Sequence, residues 1–278
     1  MVHSSLKPSM THTVAGLGDV CRLGLATRGN TTLDAESVLL AVRRGVNYLN
    51  WCGHDDGMRE AIARLGARRA DVRVAIQFSS RTADEAQREL DQTLRALNTD
   101  YIDVATYYYV EHQEEWETIV SPCGAAEVLE QARRAGTVRA IGLTSHQRPL
   151  AAQCAETGRL DLLMIRYNAA HRGAEQDVFP VTRRLNLPVV AFTCLRWRTL
   201  LEPTPDDPVD FSVPSAVDCY RWVLGSPDVS IALMAPNGEQ ELLENLAILE
   251  DRQRMTDRHR SLLTQHGDRV RCHGRPFP

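Results

Sequence analysis

The side chains with the greatest capacity for chemistry fall at or just after the ends of short apolar runs. Asn50, Trp51, Cys52 and His54 close the run VNYLNWC, Gln77 closes VRVAIQF, and Tyr107, Tyr108 and Tyr109, with Glu111, close YIDVATYYY. His146 follows VRAIGLTS with Arg148 just beyond, Arg166 ends another run ahead of His171 and Arg172, and Arg196 and Trp197 follow LPVVAFTCL. A phenol or an imidazole at such a position can move a proton, and an amide can orient a polar group beside it. Arg166 and Arg196 offer forked donors suited to a carboxylate or phosphate. The competing reading, of equal weight, has them paired with Glu111, Glu175 or Asp177 to brace loops. His54, Asp55, Asp56 and His171 match no metal-ligand spacing, so no metal is expected. Cys52 is a thiol at a strand end, usually inert unless a cation lowers its pKa.

These residues need elements to hold them, and the chain supplies a regular alternation. Strands are expected at 22–27, 46–52, 72–78, 101–109, 138–145, 160–168, 187–195 and 229–236. Helices are expected between and after them: 33–44 with Thr32 as N-cap, 58–65, 83–97, 125–135, 149–157, 174–185, 215–224 and 239–249. The strand runs are almost continuously apolar, as required when helices cover a parallel sheet. Eight strand–helix units in strict order predict a closed α/β barrel, the (β/α)8 or TIM fold, with its chemistry where strands end. Residues 1–15 read as a disordered tail and 16–278 as a single domain. Two long connections, 110–124 and the proline-rich 196–214, read as functional loops on the same face. Gly16 and Gly18 precede the first strand, so no dinucleotide-binding Gly fingerprint of the open doubly wound sheet is present.

Composition removes several classes of function. The formal net charge is -4, from 32 Lys+Arg against 36 Asp+Glu, which gives no case for nucleic acid or anionic membrane as partner. No apolar run approaches the roughly 18–20 residues of a membrane span. Seven scattered cysteines without a CxxC pair suggest reduced thiols and a cytoplasmic chain.

Several short segments, AGLGDVCRLGLAT, GVNYLN, TDYIDV, GTVRAIGLTS, RYN, VVAFTCL and ELLENLAIL, occur in the order found in aldo-keto reductases, which the chain resembles from Gly16 to Leu249. That resemblance implies an NADP(H)-dependent oxidoreductase. In it a Tyr gives a proton to the substrate carbonyl, a Lys paired to an Asp tunes that Tyr, and a His orients the carbonyl. Here the Asp position holds Asn50, the Lys position Gln77, the His position Tyr108, and the Tyr position falls on Asp56, beside Asp55. A buried Lys without its Asp would be an unpaired charge, so two amides at these positions form a consistent neutral pair. By strand alternation Tyr108 shares a face with Thr106, while Tyr107 and Tyr109 point the other way. The resemblance places Tyr108 toward the pocket, as first choice for proton transfer. A tyrosine with an ordinary pKa near 10 is a poor base at neutral pH, so His54 or His146 could titrate instead.

The same resemblance assigns a cofactor groove. Thr144 and Ser145 stand where the nicotinamide amide is held, Met164 replaces a Gln beside it, and Phe192 keeps a flat face for the ring, or is a core aromatic, the more common use of one on a barrel strand. Glu244 and Asn245 match the pair near the adenine, whereas Ala235 and Glu241 occupy the cationic positions for the 2′-phosphate. NAD(P)H is a possible cofactor with weakened 2′-phosphate contacts: such a groove would prefer NAD(H), bind NADP(H) weakly, or bind no dinucleotide. The expected substrate is a small polar carbonyl or alcohol, with Trp51, His146, Arg166, Arg196 and Trp197 around it and an anionic group favoured by the arginines. A non-redox lyase or isomerase on the same barrel, and an inactive nucleotide- or metabolite-binding protein, are the alternatives.

Overall fold

The computed structural model describes residues 10–27, 33–251 and 253–274. The barrel strands are β3 (Leu23–Ala26), β4 (Tyr48–Trp51), β5 (Arg73–Phe78), β6 (Ile102–Tyr107), β7 (Val138–Ser145), β8 (Leu162–Arg166), β9 (Val189–Phe192) and β10 (Ile231–Met234). All pair in parallel in chain order, and β10 returns to β3 to close the barrel. This is the (β/α)8 architecture expected from the alternation. Except for β7, which spans its whole expected run, the observed strands are shorter than the apolar runs, because the outer residues of those runs lie in the connections.

A single parity fills the interior. Tyr48, Ala75, Val104, Ala140, Leu162, Met164, Val190, Phe192, Ile231 and Leu233 form one inner apolar cluster, while alternate residues such as Leu49, Trp51, Ile76 and Tyr107 join the layer against the helices. Gly24 is part of this packing: a Cβ there would meet Leu233 Cδ2 at 2.8 Å. Continuing the inward parity one step toward the strand ends reaches Asn50, Gln77, Tyr108, Thr144, Arg166 and Ala235. The register that packs the core therefore also selects which polar side chains face the mouth.

The stretch read as a tail is corrected in part. β1 (Thr11–Val14) and β2 (Gly18–Cys21) form an antiparallel hairpin, and Val14, Leu17 and Val20 enter the inner cluster, so the hairpin stoppers the barrel floor. The rest of that tail, residues 1–9, lies outside the described residues, as does the expected cap Thr32. The first helix, α1 (Ala35–Arg43), is capped instead by Asp34, whose carboxylate accepts from Ser37 N at 2.8 Å. The floor also holds a buried ionic knot. Asp103 accepts from Arg69 and Arg139, each at 2.8 Å, and from Val74 N at 2.9 Å.

The remaining helices are α2 (Gly57–Arg64), α3 (Ala83–Ala96), α4 (Gln113–Val120), α5 (Ala125–Ala135), α6 (Arg148–Glu156), α7 (Ala174–Asp177), α8 (Phe179–Leu185), α9 (Ala216–Leu224), α10 (Glu239–Leu246) and α11 (Asp257–His273). Two departures matter. The connection read as a loop after the fourth barrel strand contains α4, whose Trp116 packs edge-on to Tyr107. The long C-terminal helix α11 was not expected, its charged sequence hiding the narrow stripe Leu263, His266, Gly267 and Val270. Gly267 allows close approach, since a Cβ there would lie 2.3 Å from Ala169 O. From α11, His266 Nδ1 lies 3.1 Å and Arg269 Nε 2.6 Å from the Asp207 carboxylate, which fixes the loop following β9.

Candidate active site

A single cavity of about 610 Å³ opens at the C-terminal ends of the strands. One end is lined by Asn50, Cys52, His54, Gln77 and Tyr108. The middle passes Tyr109, His146, Met164 and Phe192, and the far end reaches Trp197, Arg198, Asn237 and Glu241. Asn50, Gln77, His54, Tyr108, Met164, Phe192, His146 and Trp197 were all singled out from the sequence, and the fold brings them into one space.

Asn50 is 1% exposed, and its Nδ2 contacts Cys52 Sγ at 3.7 Å. Its Oδ1 is buried with no hydrogen-bond partner among the described residues. A buried acceptor of this kind costs free energy until a donor meets it, and it borders the cavity. Tyr108 follows the end of β6, its N–H still bonded to Phe78 O at 2.9 Å. Tyr109 does not obey the strand alternation expected for it. Its φ of 44° turns the backbone, and its ring joins Tyr108 on the cavity wall instead of pointing outward. The Tyr108 and Tyr109 rings stack at 4.0 Å, Tyr109 meets His146 at 4.3 Å, and His146 meets Phe192 at 5.8 Å. Glu111 anchors this wall by accepting from His146 N at 2.8 Å, with His146 Nδ1 at 3.2 Å.

The electrostatics of this wall are cationic. Burial pulls the Arg166 guanidinium down to about 10, with Tyr109 and Glu111 opposing and Arg148 and Arg196 adding to the shift. His146 is lowered by burial and then by Arg166, against the pull of Glu111. His171, behind them, is pushed down to about 4 by burial and the surrounding Arg196, Arg166, Arg271 and Arg148. Neutral imidazoles are therefore favoured here, and an anion arriving near them would find compensating positive charge.

Several expected contacts lie elsewhere. Asp56 caps α2, accepting from Arg59 N at 3.0 Å and Thr27 Oγ1 at 2.6 Å, so it stands as a helix cap outside the cavity lining. Trp51 has the outward parity and packs in the helix layer, its Nε1 donating to His54 O at 2.8 Å. Arg196 is 5% exposed and directed at His171 Nε2 and Thr199 Oγ1, a loop-bracing role in place of a ligand contact. Its expected carboxylate partners are engaged otherwise: Asp177 with Arg148, Glu175 with the Tyr167 hydroxyl, Glu111 with His146. Arg166 has the inward parity but sits behind the lining. Glu244 and Asn245 are also outside it: Glu244 pairs with Gln240, and Asn245 is buried in α10. Ser145 is buried and accepts from Gln147 N at 2.9 Å.

Tyr109, Arg198 and Asn237 at the cavity wall escaped the sequence reading. Tyr109 was assigned to the wrong face. Arg198 was not singled out, yet its Nη1 lies 2.6 Å from Glu241 Oε1 across the far end. Arg196, Trp197 and Arg198 all have left-handed backbone, with φ of 47°, 51° and 73°, a turn that sequence composition does not announce. Glu241 also accepts from Asn237 N at 2.9 Å. The carboxylate expected to repel a 2′-phosphate thus carries its own cation.

The groove can be tested against the dinucleotide the resemblance implies. One cavity includes Tyr108, Asn237 and Glu241 in its lining, with Phe192 and Met164, each 6% exposed, in its wall. Thr144 Oγ1 is a buried hydroxyl without a partner among the described residues, and it lies behind the cavity lining. The lining of the groove fits the group, while Tyr109 and His146 pack beside Phe192 and leave little of its ring open. Among the described residues no group of three or more His, Cys, Asp or Glu is placed to hold a metal. No helix among them is long and apolar enough to cross a membrane.

Known proteins share this fold. A solved aldo-keto reductase of Bacillus halodurans in its holo form superposes with a TM-score of 0.75 over 92% of this chain and 95% of its own, at 18% identity. One from Klebsiella pneumoniae in complex with NADPH gives 0.74 over 94% and 96%, at 17% identity. Among curated sequences, the uncharacterized oxidoreductase YrpG of Bacillus subtilis is 22% identical over 255 residues, covering 73% of this chain and 76% of that protein. The family model for aldo/keto reductases matches residues 23–212, from the first barrel strand through the loop that bears Trp197 and Arg198. With the closed eight-stranded barrel and the groove at its mouth, this match shows that the chain belongs to the Aldo/keto reductase family.

Proposed function

We propose that the protein is an aldo-keto reductase-like oxidoreductase with a non-standard active site, interconverting a small polar carbonyl and alcohol with NAD(H) or NADP(H). The observation that carries this reading is the continuity of one cavity from Asn50, Gln77 and Tyr108 to Phe192, Asn237 and Glu241. When bound, the nicotinamide supplies or accepts hydride. The chain's own residues supply the rest. Tyr108 donates its phenolic proton to the developing alkoxide oxygen. Asn50 and Gln77 orient polar groups of the substrate without adding charge, which replaces an ion pair by hydrogen bonds. His146 and the positive charge behind it favour a substrate that carries a carboxylate or phosphate. Phe192 and Met164 seat the ring, Thr144 meets its amide, and Trp197 to Asn237 flank the remainder.

A calorimetric or fluorescence titration with NADH and NADPH tests the reading, followed by turnover over a panel of small carbonyls with and without an acidic group. Absence of binding of both dinucleotides at millimolar concentration would refute it. Tyr108→Phe should lower turnover by about 10²–10⁴-fold with little change in cofactor affinity. One observation favours a second reading, a metabolite-binding or non-redox protein: Phe192 is 6% exposed and Thr144 is fully buried, so neither yet offers its surface.

A further inference from the structure

We propose that Tyr109 and His146 form a displaceable cover over the ring seat made by Phe192, Met164 and Thr144, so that a planar ring enters by moving them aside. That the ring is a nicotinamide rests on the function proposed above; the cover does not. Phe192 has the inward parity and belongs to the wall of the groove, yet protein side chains cover nearly all of it. The rings against it are His146 at 5.8 Å and Tyr109 at 6.5 Å, and Tyr109 packs on the inner cluster that contains Phe192 and Met164. A buried hydroxyl with no partner, Thr144 Oγ1, lies on the strand just before His146. Covering Phe192 with rings is favourable in itself, but burying a hydroxyl that nothing satisfies is not, and is explained if Thr144 meets a ligand once the rings move.

The geometry also shows which part moves. On either side of Tyr109 the backbone is pinned to neighbouring strands, by Tyr108 N to Phe78 O at 2.9 Å and Val110 N to Thr144 O at 3.0 Å. Arg81 donates to the carbonyls of Tyr108 and Tyr109 at 2.7 and 3.2 Å. The left-handed backbone of Tyr109 is thus held in place, and release is a side-chain rotation. Moving the His146 ring breaks its contact with Glu111 Oε1, while the bond from His146 N to that carboxylate can persist. The two rings lie 4.3 Å apart and tilted by 36°, and the Tyr109 ring in leaving also gives up its stack on Tyr108.

The cover is read first without any ligand. In protein labelled with 4-fluorophenylalanine, the Phe192 resonance, assigned through Phe192→Leu, should be sheltered from a soluble paramagnetic agent. In the double variant Tyr109→Ala/His146→Ala its relaxation should rise severalfold, whereas Tyr109→Phe, which keeps the ring, should match the native chain. A Phe192 signal already exposed in the native chain, or unchanged in the double variant, overturns the proposal. The second arm compares NADH with ADP-ribose, which lacks the ring, by calorimetry. The native chain should hardly distinguish them, and the double variant should prefer NADH by about tenfold, the value of one aromatic stack. A native chain that already prefers NADH tenfold, with the preference lost in the double variant, also overturns the cover. Failure of every form to bind either dinucleotide refutes the proposed cofactor and leaves the label to decide the cover.

Discussion

Asn50→Asp and Gln77→Lys, made singly and together, test whether the mouth is organised around neutrality. Both positions have the inward parity on adjacent strands, with Asn50 opposite Ala75 and Gln77 two residues further along β5. A carboxylate placed at the 1% exposed position 50 would lose its hydration with no cation in place. A rise of two pH units in its folded-state pKa costs about 2.7 kcal/mol at pH 7. Because the raised pKa belongs to the folded state, this cost is absent below the unfolded value near 4 and grows as pH rises through the folded value. With the ammonium introduced at position 77, opposite charges about 5 Å apart at an effective dielectric near 20 recover about 3 kcal/mol. We therefore expect the double variant to be more stable than the sum of the single effects by about 2 kcal/mol, after the entropy of ordering the long side chain. Urea denaturation at pH 5 and pH 7, with the four proteins compared as a cycle, measures this. Asn50→Asp within about 0.5 kcal/mol of the native chain at pH 7, or additive single effects, would refute the reasoning.

Other outcomes follow from contacts described above. Asp103→Asn should cost about 3 kcal/mol in urea denaturation, because it leaves buried Arg69 without the carboxylate it shares with Arg139. Acid should act on stability in two stages, seen as falling Tm. His171, held near 4, favours its neutral form, so the stability it contributes is full above 6.5 and is lost as pH falls from there toward 4. Asp207 is driven up by burial but more strongly down, to about 2, by hydrogen bonds from Thr204 N, His266 and Arg269, so its contribution goes only as pH falls from about 3.8 through 2. Asp207→Asn should remove the second stage and leave the first. Glu241→Lys should strengthen NADPH relative to NADH by about tenfold in calorimetry, since it converts the far-end ion pair into two cations.

The barrel was legible because burial on both faces of a parallel sheet leaves a strong mark: apolar runs such as VRVAIQF and VRAIGLTS separated by amphipathic helices. Asn50, Gln77, Tyr108 and Phe192 were legible because the resemblance marked their positions, and for Tyr108 strand alternation agreed. The missed features depend on backbone conformation or tertiary partners that composition does not encode. Tyr109 turns inward through a positive φ, where continued alternation would send it out. Arg198 finds Glu241 only because three successive left-handed residues bend the loop toward α10. Asp56 looked chemical and serves as a cap, since an Asp immediately before a helix has both uses and sequence cannot rank them. The hairpin and α11 were hidden for the same reason: each buries a few apolar residues among many polar ones, below the signal of an amphipathic run.

The hairpin that stoppers the floor has a consequence for how the chain is made. Val14, Leu17 and Val20 share their apolar cluster with Leu162, Val190, Ile231 and Leu233, from the last three strands. The first of these residues to leave a ribosome are therefore among the last to find their neighbours. Until β10 emerges and meets β3, these three apolar side chains have only the earlier members of the cluster, Tyr48, Ala75 and Val104 among them, and lack the rest of their cover, which makes this segment a natural handle for chaperones during synthesis and a point of early attack for proteases if closure stalls.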